Sequence, residues 1–327
     1  MEAIRESGVS LAADPLGGAG VQYWQAIAEK YRIHLKVINP VIDPTFSFMR
    51  TDWDGQIRMD PSSSYAMQGV LEHKDLCDIT VACDTDHDRH GIITRSQGLL
   101  PPNHYLSAAA YYLLNYRPLW KSSCRIGKTF VTSRMIDRIA EQAGRSVYET
   151  PVGFKWFVDG LFDGSLPFVC EESAGASLNR LDGSAWTTDK DGIVMGLLAA
   201  EMTAKSGRDP GELYQSLTEK FGSFYYSRSE GTADLRARKA LKGLSPERIK
   251  ISQLAGDPII RVLNQARGNS APLEGILVET ERGWFAARPS GTEEIYKIYG
   301  ESFVSETHLA AIHQEAQTIV TAALQEL

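Results

Sequence analysis

The order of apolar segments predicts two successive α/β domains followed by an α+β domain with an antiparallel sheet. Three observations carry this. Strand-like apolar runs alternate with stretches of helical apolar spacing as far as Lys205. Pro101-Pro102 and Ser206-Gly207-Arg208-Asp209-Pro210 interrupt that alternation. Strand-like runs at hairpin spacing then precede a last amphipathic helix. The division is therefore 1–100, 101–208 and 209–327.

In the first domain a strand at 9–13 is broken by Asp14-Pro15-Leu16-Gly17-Gly18. A helix follows, with Val21, Trp24, Ile27, Ala28 and Tyr31 on one face. Strands at 35–38 and 79–83 flank a polar stretch and a helix at 65–73, and this alternation implies a mainly parallel sheet. The second domain opens with a helix at 105–116. It continues with strands at 126–131 and 168–170 and helices at 133–142, 154–162 and 192–205. The third has helical patterns at 210–221, 234–244 and 246–255, then strands at 275–280, 284–287 and 295–299. Behind Ser305 as N-cap, Leu309, Ile312, Ala316, Ile319, Ala323 and Leu327 share one helix face.

Composition narrows the partners. A net charge of −7 argues against a nucleic acid or an anionic membrane surface, which call for a basic excess. A small phosphorylated ligand remains compatible, because a few local Arg and Lys residues hold one phosphate. Cys77, Cys83, Cys124 and Cys170 form no CxxC pair and no disulfide framework. The first residues lack the basic and apolar regions of a signal peptide, and no window has the length of a membrane-spanning helix. A reducing cytoplasm is the expected compartment.

The chemistry concentrates in four places. Asp84-Thr85-Asp86-His87-Asp88-Arg89-His90-Gly91 follows an apolar strand, and its three alternate carboxylates can converge on one hard cation. An EF-hand fails, since Arg89 and Arg95 would occupy the positions of its Gly and Glu. A solvated acidic turn, or a phosphatase with Asp84 as nucleophile and Asp86 as acid/base, remains open. Arg288-Pro289-Ser290-Gly291-Thr292 can bind phosphate through Arg288, two hydroxyls and backbone amides, or be an ordinary turn. Glu171-Glu172-Ser173 can grip neighbouring sugar hydroxyls, or be the acidic start of a helix. Lys155 and Lys190 can be phosphate contacts or surface charges. Gly17-Gly18-Ala19-Gly20 lacks the full dinucleotide pattern and reads as a tight turn into a helix.

Taken together and in this order, these stretches resemble the α-D-phosphohexomutase superfamily, and within it the bacterial phosphoglucomutases. The resemblance runs through Asp14-Pro15-Leu16-Gly17-Gly18, the acidic loop, Pro151-Val152-Gly153-Phe154-Lys155-Trp156-Phe157-Val158-Asp159-Gly160, Glu171-Glu172-Ser173-Ala174-Gly175, Thr188-Asp189-Lys190-Asp191-Gly192 and Phe285-Ala286-Ala287-Arg288-Pro289-Ser290-Gly291-Thr292-Glu293. It implies two mixed-sheet α/β domains of phosphohexomutase type, the family's second and third, and a fourth with an antiparallel sheet, all facing a central cleft. It implies Asp84, Asp86 and Asp88 as Mg²⁺ ligands, with Arg89 beside the transferring group and Lys190 handling proton or charge. Glu171 and Ser173 would contact the sugar. Arg288, Ser290, Gly291, Thr292 and Lys297 would hold the other phosphate, and Gly153 and Lys155 would line the site. The implied reaction interconverts glucose 1-phosphate and glucose 6-phosphate through glucose 1,6-bisphosphate.

Two departures stand out. The family's phosphorylated serine lies in a Ser-His loop, and this chain has no Ser-His dipeptide. The expectation is a fragment, inactive alone, whose serine domain is separately encoded or absent, with a non-catalytic sugar-phosphate binder as the alternative. Cys170 also stands where the family commonly has Gly.

Overall fold

The computed structural model describes residues 1–52, 55–291 and 293–325, with side chains in the last helix described to 322. Contacts divide the chain into two units. One comprises Met1–Ile126, Arg138–Ser146 and Phe157–Leu217; the other comprises Gly127–Asp137, Val147–Trp156 and Thr218–Leu327.

The first unit contains a five-stranded sheet in the order His34–Val37, Ser10–Asp14, Ile79–Cys83, His90–Thr94, Gly98–Leu99. The first two pairings are parallel and the last two antiparallel. The mainly parallel sheet implied by the alternation is thus corrected to a mixed one. Only the acidic loop separates Ile79–Cys83 from His90–Thr94, and a connection that short can only return antiparallel. Both strands are buried throughout, as strands covered on two faces are. The helix Gly192–Ser206 crosses them at Gly196, where a Cβ would lie 2.6 Å from Val81 Cγ1 and 3.2 Å from the fully buried Trp24. The helix expected at 65–73 shrinks to Gln68–Leu71. Asp60 Oδ1 accepts from Ser62 N and Oγ, and Ser63 Oγ accepts from Ala66 N, closing turns in the preceding chain that delay it. An antiparallel hairpin pairs Phe168–Glu171 with Gly175–Leu178.

The second unit has an antiparallel sheet in the order Tyr225–Thr232, Ile295–Ser302, Gly283–Pro289, Pro272–Glu279, Arg261–Gln265. Helices Leu235–Lys242 and Glu306–Gln325 cover it through Leu241, Ile276, Val278, Phe285, Ile298, Ile312 and Val320. Ser305 Oγ accepts from His308 N at 3.1 Å, the expected N-cap. The side chain of Ala323, and Leu327, lie outside the described residues. No helix covers 246–255: a 3₁₀ turn at Pro246–Arg248 gives way to Gln253–Leu254 paired with Asp257–Pro258. Ala255 and Gly256 have φ of 50° and 84°, a hairpin turn that a helix cannot contain.

Charged residues lie inside this unit. Lys128 is fully buried and reaches Asp137 at 2.7 Å. The Arg134 guanidinium pairs with Glu149 and, at 2.6 Å, with Glu279, while the backbone N–H of Arg134 donates to Glu301 at 2.9 Å. Glu279 also pairs with Arg267 and Arg261. Buried charges persist only when matched in this way.

Candidate functional site

Six residues reverse the chain between Ile79–Cys83 and His90–Thr94. His87 makes the kink, with φ 61° and its N–H donating to the Asp84 carbonyl at 3.1 Å. Carboxylate oxygens of Asp84, Asp86 and Asp88 all lie within 4.8 Å of one another. Asp84 is buried, Asp88 half-buried and Asp86 exposed.

The glycine-rich turn is the bed of this loop. A Cβ on Gly18 would meet Thr85 O at 2.4 Å, and one on Gly20 would meet His87 Nε2 at 2.0 Å. Ala19 N donates to Thr85 O at 2.8 Å. Burial lowers the pKa of His87, so its ring packs as neutral imidazole. From the other side Gly192 N donates to His87 O at 2.8 Å, and Arg89 bridges to Gly175. Without side chains, Gly18, Gly20, Gly175 and Gly192 let three loops close on the acidic one.

Two cations pair with Asp84 and Asp88. Arg89 donates to Asp84 through N at 2.9 Å and Nε at 2.7 Å. Lys190 Nζ lies 2.6 Å from Asp88. Burial raises the Asp84 pKa to about 6 although Arg89 opposes it. Burial also disfavours the Lys190 charge, but Asp88 and then Glu171 outweigh it and raise its pKa. Both Asp84 oxygens are engaged, which disfavours Asp84 as a nucleophile. An all-oxygen, three-carboxylate set fits a hard divalent cation such as Mg²⁺.

Glu171 is buried at the end of its strand, and Ser173 is half-buried in the hairpin turn beside Ala174, whose φ is 69°. The helix start considered for this segment is thereby replaced by a β-hairpin. Cys170 is buried within it.

The remaining predicted residues belong to the second unit. Gly153 takes φ 125°, which favours glycine. Lys155 is exposed, its Nζ 4.9 Å from the Trp156 ring centroid. Arg288 and Lys297 are cross-strand partners, so two cations stand side by side, an arrangement an anion stabilises. Arg288 Nη1 donates to the Tyr299 hydroxyl at 3.3 Å, and Lys297 Nζ lies 3.5 Å from Glu230. Ser290 is buried and its Oγ accepts from Glu293 N at 3.3 Å. Gly291 faces open space. Thr292 lies outside the described residues.

Asp60 lies in the polar stretch before the first domain's short helix, where no motif points to a role for it. Its carboxylate reaches Arg89 Nη1 at 3.2 Å. The turn signal Asp60-Pro61-Ser62 marked a fixed side chain there without revealing its partner.

Residues 1–98 match the family model for phosphoglucomutase/phosphomannomutase α/β/α domain II, and residues 101–221 that for α/β/α domain III. A phosphoglucomutase from Komagataeibacter xylinus is 55% identical over 322 residues, 98% of this chain and 58% of that protein. The chain thus spans under two thirds of this relative's length. Among solved structures, the Paramecium phosphoglucomutase parafusin superposes with a TM-score of 0.74 at 22% identity, covering 98% of this chain and 59% of that one. A phosphomannomutase-like structure from Thermus thermophilus gives 0.72 at 23%, covering 98% and 62%.

Proposed function

The chain belongs to the phosphoglucomutase/phosphomannomutase family, and from that premise we propose that it supplies the metal, sugar and phosphate sites of a phosphoglucomutase. The reaction would interconvert glucose 1-phosphate and glucose 6-phosphate through glucose 1,6-bisphosphate. Segments 1–100, 101–208 and 209–327 would carry the three sites in that order. The observation that carries the reading is the convergence of Asp84, Asp86 and Asp88 beside Arg89 and Lys190.

Asp84, Asp86 and Asp88 would hold Mg²⁺, which supplies charge neutralisation for phosphoryl oxygens and a fixed template. Phosphoryl transfer needs mainly positioning and charge stabilisation, and the chain's cations fit that need. Arg89 would bind oxygens of the group in transit. Lys190, 2.6 Å from Asp88, would handle charge or a proton during transfer. Glu171 and Ser173 would orient sugar hydroxyls. Arg288, Lys297, Ser290, Gly291 and Thr292 would hold the phosphate that is not reacting, helped by Gly153 and Lys155. In each half-reaction the P–O bond to the donor oxygen breaks as one forms to the acceptor hydroxyl oxygen, of the sugar or of serine, and the acceptor's proton ends on the donor oxygen, which leaves as a hydroxyl. The phosphorylated serine would lie outside these residues, which contain no Ser-His dipeptide.

Four free, buried cysteines support placing the protein in a reducing cytoplasm. No helix among the described residues is long and apolar enough to cross a membrane.

Calorimetric titration of the chain with Mg²⁺ and then glucose 6-phosphate tests the sites. Saturable binding of both, with the metal step lost in Asp86→Asn, is expected; no binding of either at millimolar ligand would overturn the reading. A sugar-phosphate binder without turnover is the second reading. That reading predicts binding but no activity even when a serine-bearing segment is added.

A further inference from the structure

Arg89 is gripped from two directions. Its Nε donates to Asp84 Oδ2 at 2.7 Å and its Nη1 to Asp60 Oδ1 at 3.2 Å, across 29 positions of sequence. Asp60 is not free to follow the arginine. The same Oδ1 accepts from Ser62 N at 2.9 Å and Ser62 Oγ at 2.7 Å, which closes an Asx turn. The turn is seated against the strand that leaves the acidic loop: a Cβ on Gly91 would lie 2.7 Å from Pro61 O. The two carboxylates that hydrogen-bond the guanidinium are therefore fixed by backbone, and Asp88 Oδ1 lies farther off, 3.8 Å from Nε. Burial works against the Arg89 charge, yet Asp60 and Asp84 together raise its pKa.

We propose that Asp60 is a positioning residue that clamps the Arg89 guanidinium in one orientation beside the acidic loop. A flexible arginine there would lose side-chain freedom each time it bound a phosphoryl group; one already clamped loses little. Asp60 works through Arg89 and need not touch the substrate. The proposal deepens the mutase reading and rests on it for the role of Arg89, while the clamp itself can be read without turnover.

The test is NMR of the whole chain carrying ¹⁵N-arginine, with the Arg89 side-chain signals identified by their loss in Arg89→Lys. In the native chain rotation about the Arg89 Cζ–N bonds is slow. In Asp60→Asn, which keeps an oxygen for the Ser62 turn but removes the charge, rotation speeds up about ten-fold or more. Thermal unfolding stays near that of the native chain, and Asp60→Glu restores slow rotation. Unchanged Arg89 rotation in Asp60→Asn overturns the clamp. In the chain complemented with a serine-bearing segment, Asp60→Asn lowers kcat by about 10- to 100-fold with KM for glucose 1-phosphate little changed. Faster rotation with kcat intact leaves the clamp standing and overturns the assignment of Arg89 to the transferring group.

Discussion

Gly20 and the His87 ring compete for one space, and the fold resolves it by leaving Gly20 without a side chain. A Cβ there would fall 2.0 Å from His87 Nε2. Gly20→Ala must displace the ring or the loop, so the variant loses about 1–3 kcal/mol, and its Mn²⁺ affinity drops with it. Denaturant unfolding and calorimetric Mn²⁺ titration measure the two effects. Asp86→Asn should behave oppositely: its exposed side chain supports little of the fold, so metal affinity falls while stability stays within about 0.5 kcal/mol. Asp14 gives a pH signature. Burial raises its pKa from 3.8 to about 6, although Leu16 N and Asn39 donate to it. A folded pKa above the unfolded one means that protonation favours the fold. This contribution is present below pH 4 and is lost as pH rises towards 6. At about 1.4 kcal/mol per pH unit between the two values it is at most about 3 kcal/mol. Urea unfolding between pH 4 and 7 should show this slope in the native chain and a flatter one in Asp14→Asn.

Among the elements, the Arg134 cluster makes the firmest demand. The Arg134 guanidinium pairs with Glu149 and Glu279 in the interior, so Arg134→Met removes the cation from two buried carboxylates. The expected loss is about 3–5 kcal/mol, read as a fall in the unfolding midpoint. An exposed pair such as Lys242 with Glu274 should contribute less than about 1 kcal/mol. Nothing in the sequence marked Arg134 or Lys128, because each lies in a stretch whose period signals an element, and that period does not show that Asp137, Glu149 and Glu279 fold against them. The same limit governs the fold. The helices at 21–31 and 192–206 were legible because their apolar residues recur locally. The strand His90–Thr94 was not, because its antiparallel return depends on pairing across the acidic loop. The segment 246–255 misled, since its apolar spacing suits a helix and only the left-handed Ala255-Gly256 pair dictates a hairpin. At the candidate site, the alternate spacing of the three aspartates led to the expectation that they converge, and they do. Asp60 was not legible, because its role depends on where Arg89 lies.

At the scale of the molecule, one unit holds the acidic loop, Arg89, Lys190 and the Glu171 hairpin, and the other holds Gly153, Lys155 and the Arg288 segment. Each unit has its own core, so damage to one site should leave the other's ligand binding intact. The central claim is that these sites serve one mutase reaction with a serine phosphate supplied by a further segment. The measurement that tests it most directly is a coupled assay of glucose 6-phosphate formation. It uses the purified chain with glucose 1-phosphate, Mg²⁺ and catalytic glucose 1,6-bisphosphate, with and without a serine-bearing N-terminal segment of a related phosphoglucomutase. The account predicts no turnover from the chain alone and turnover on addition of the segment, lost again in Asp86→Asn. Turnover by the chain alone, or none with a folded and phosphorylated segment present, would contradict it.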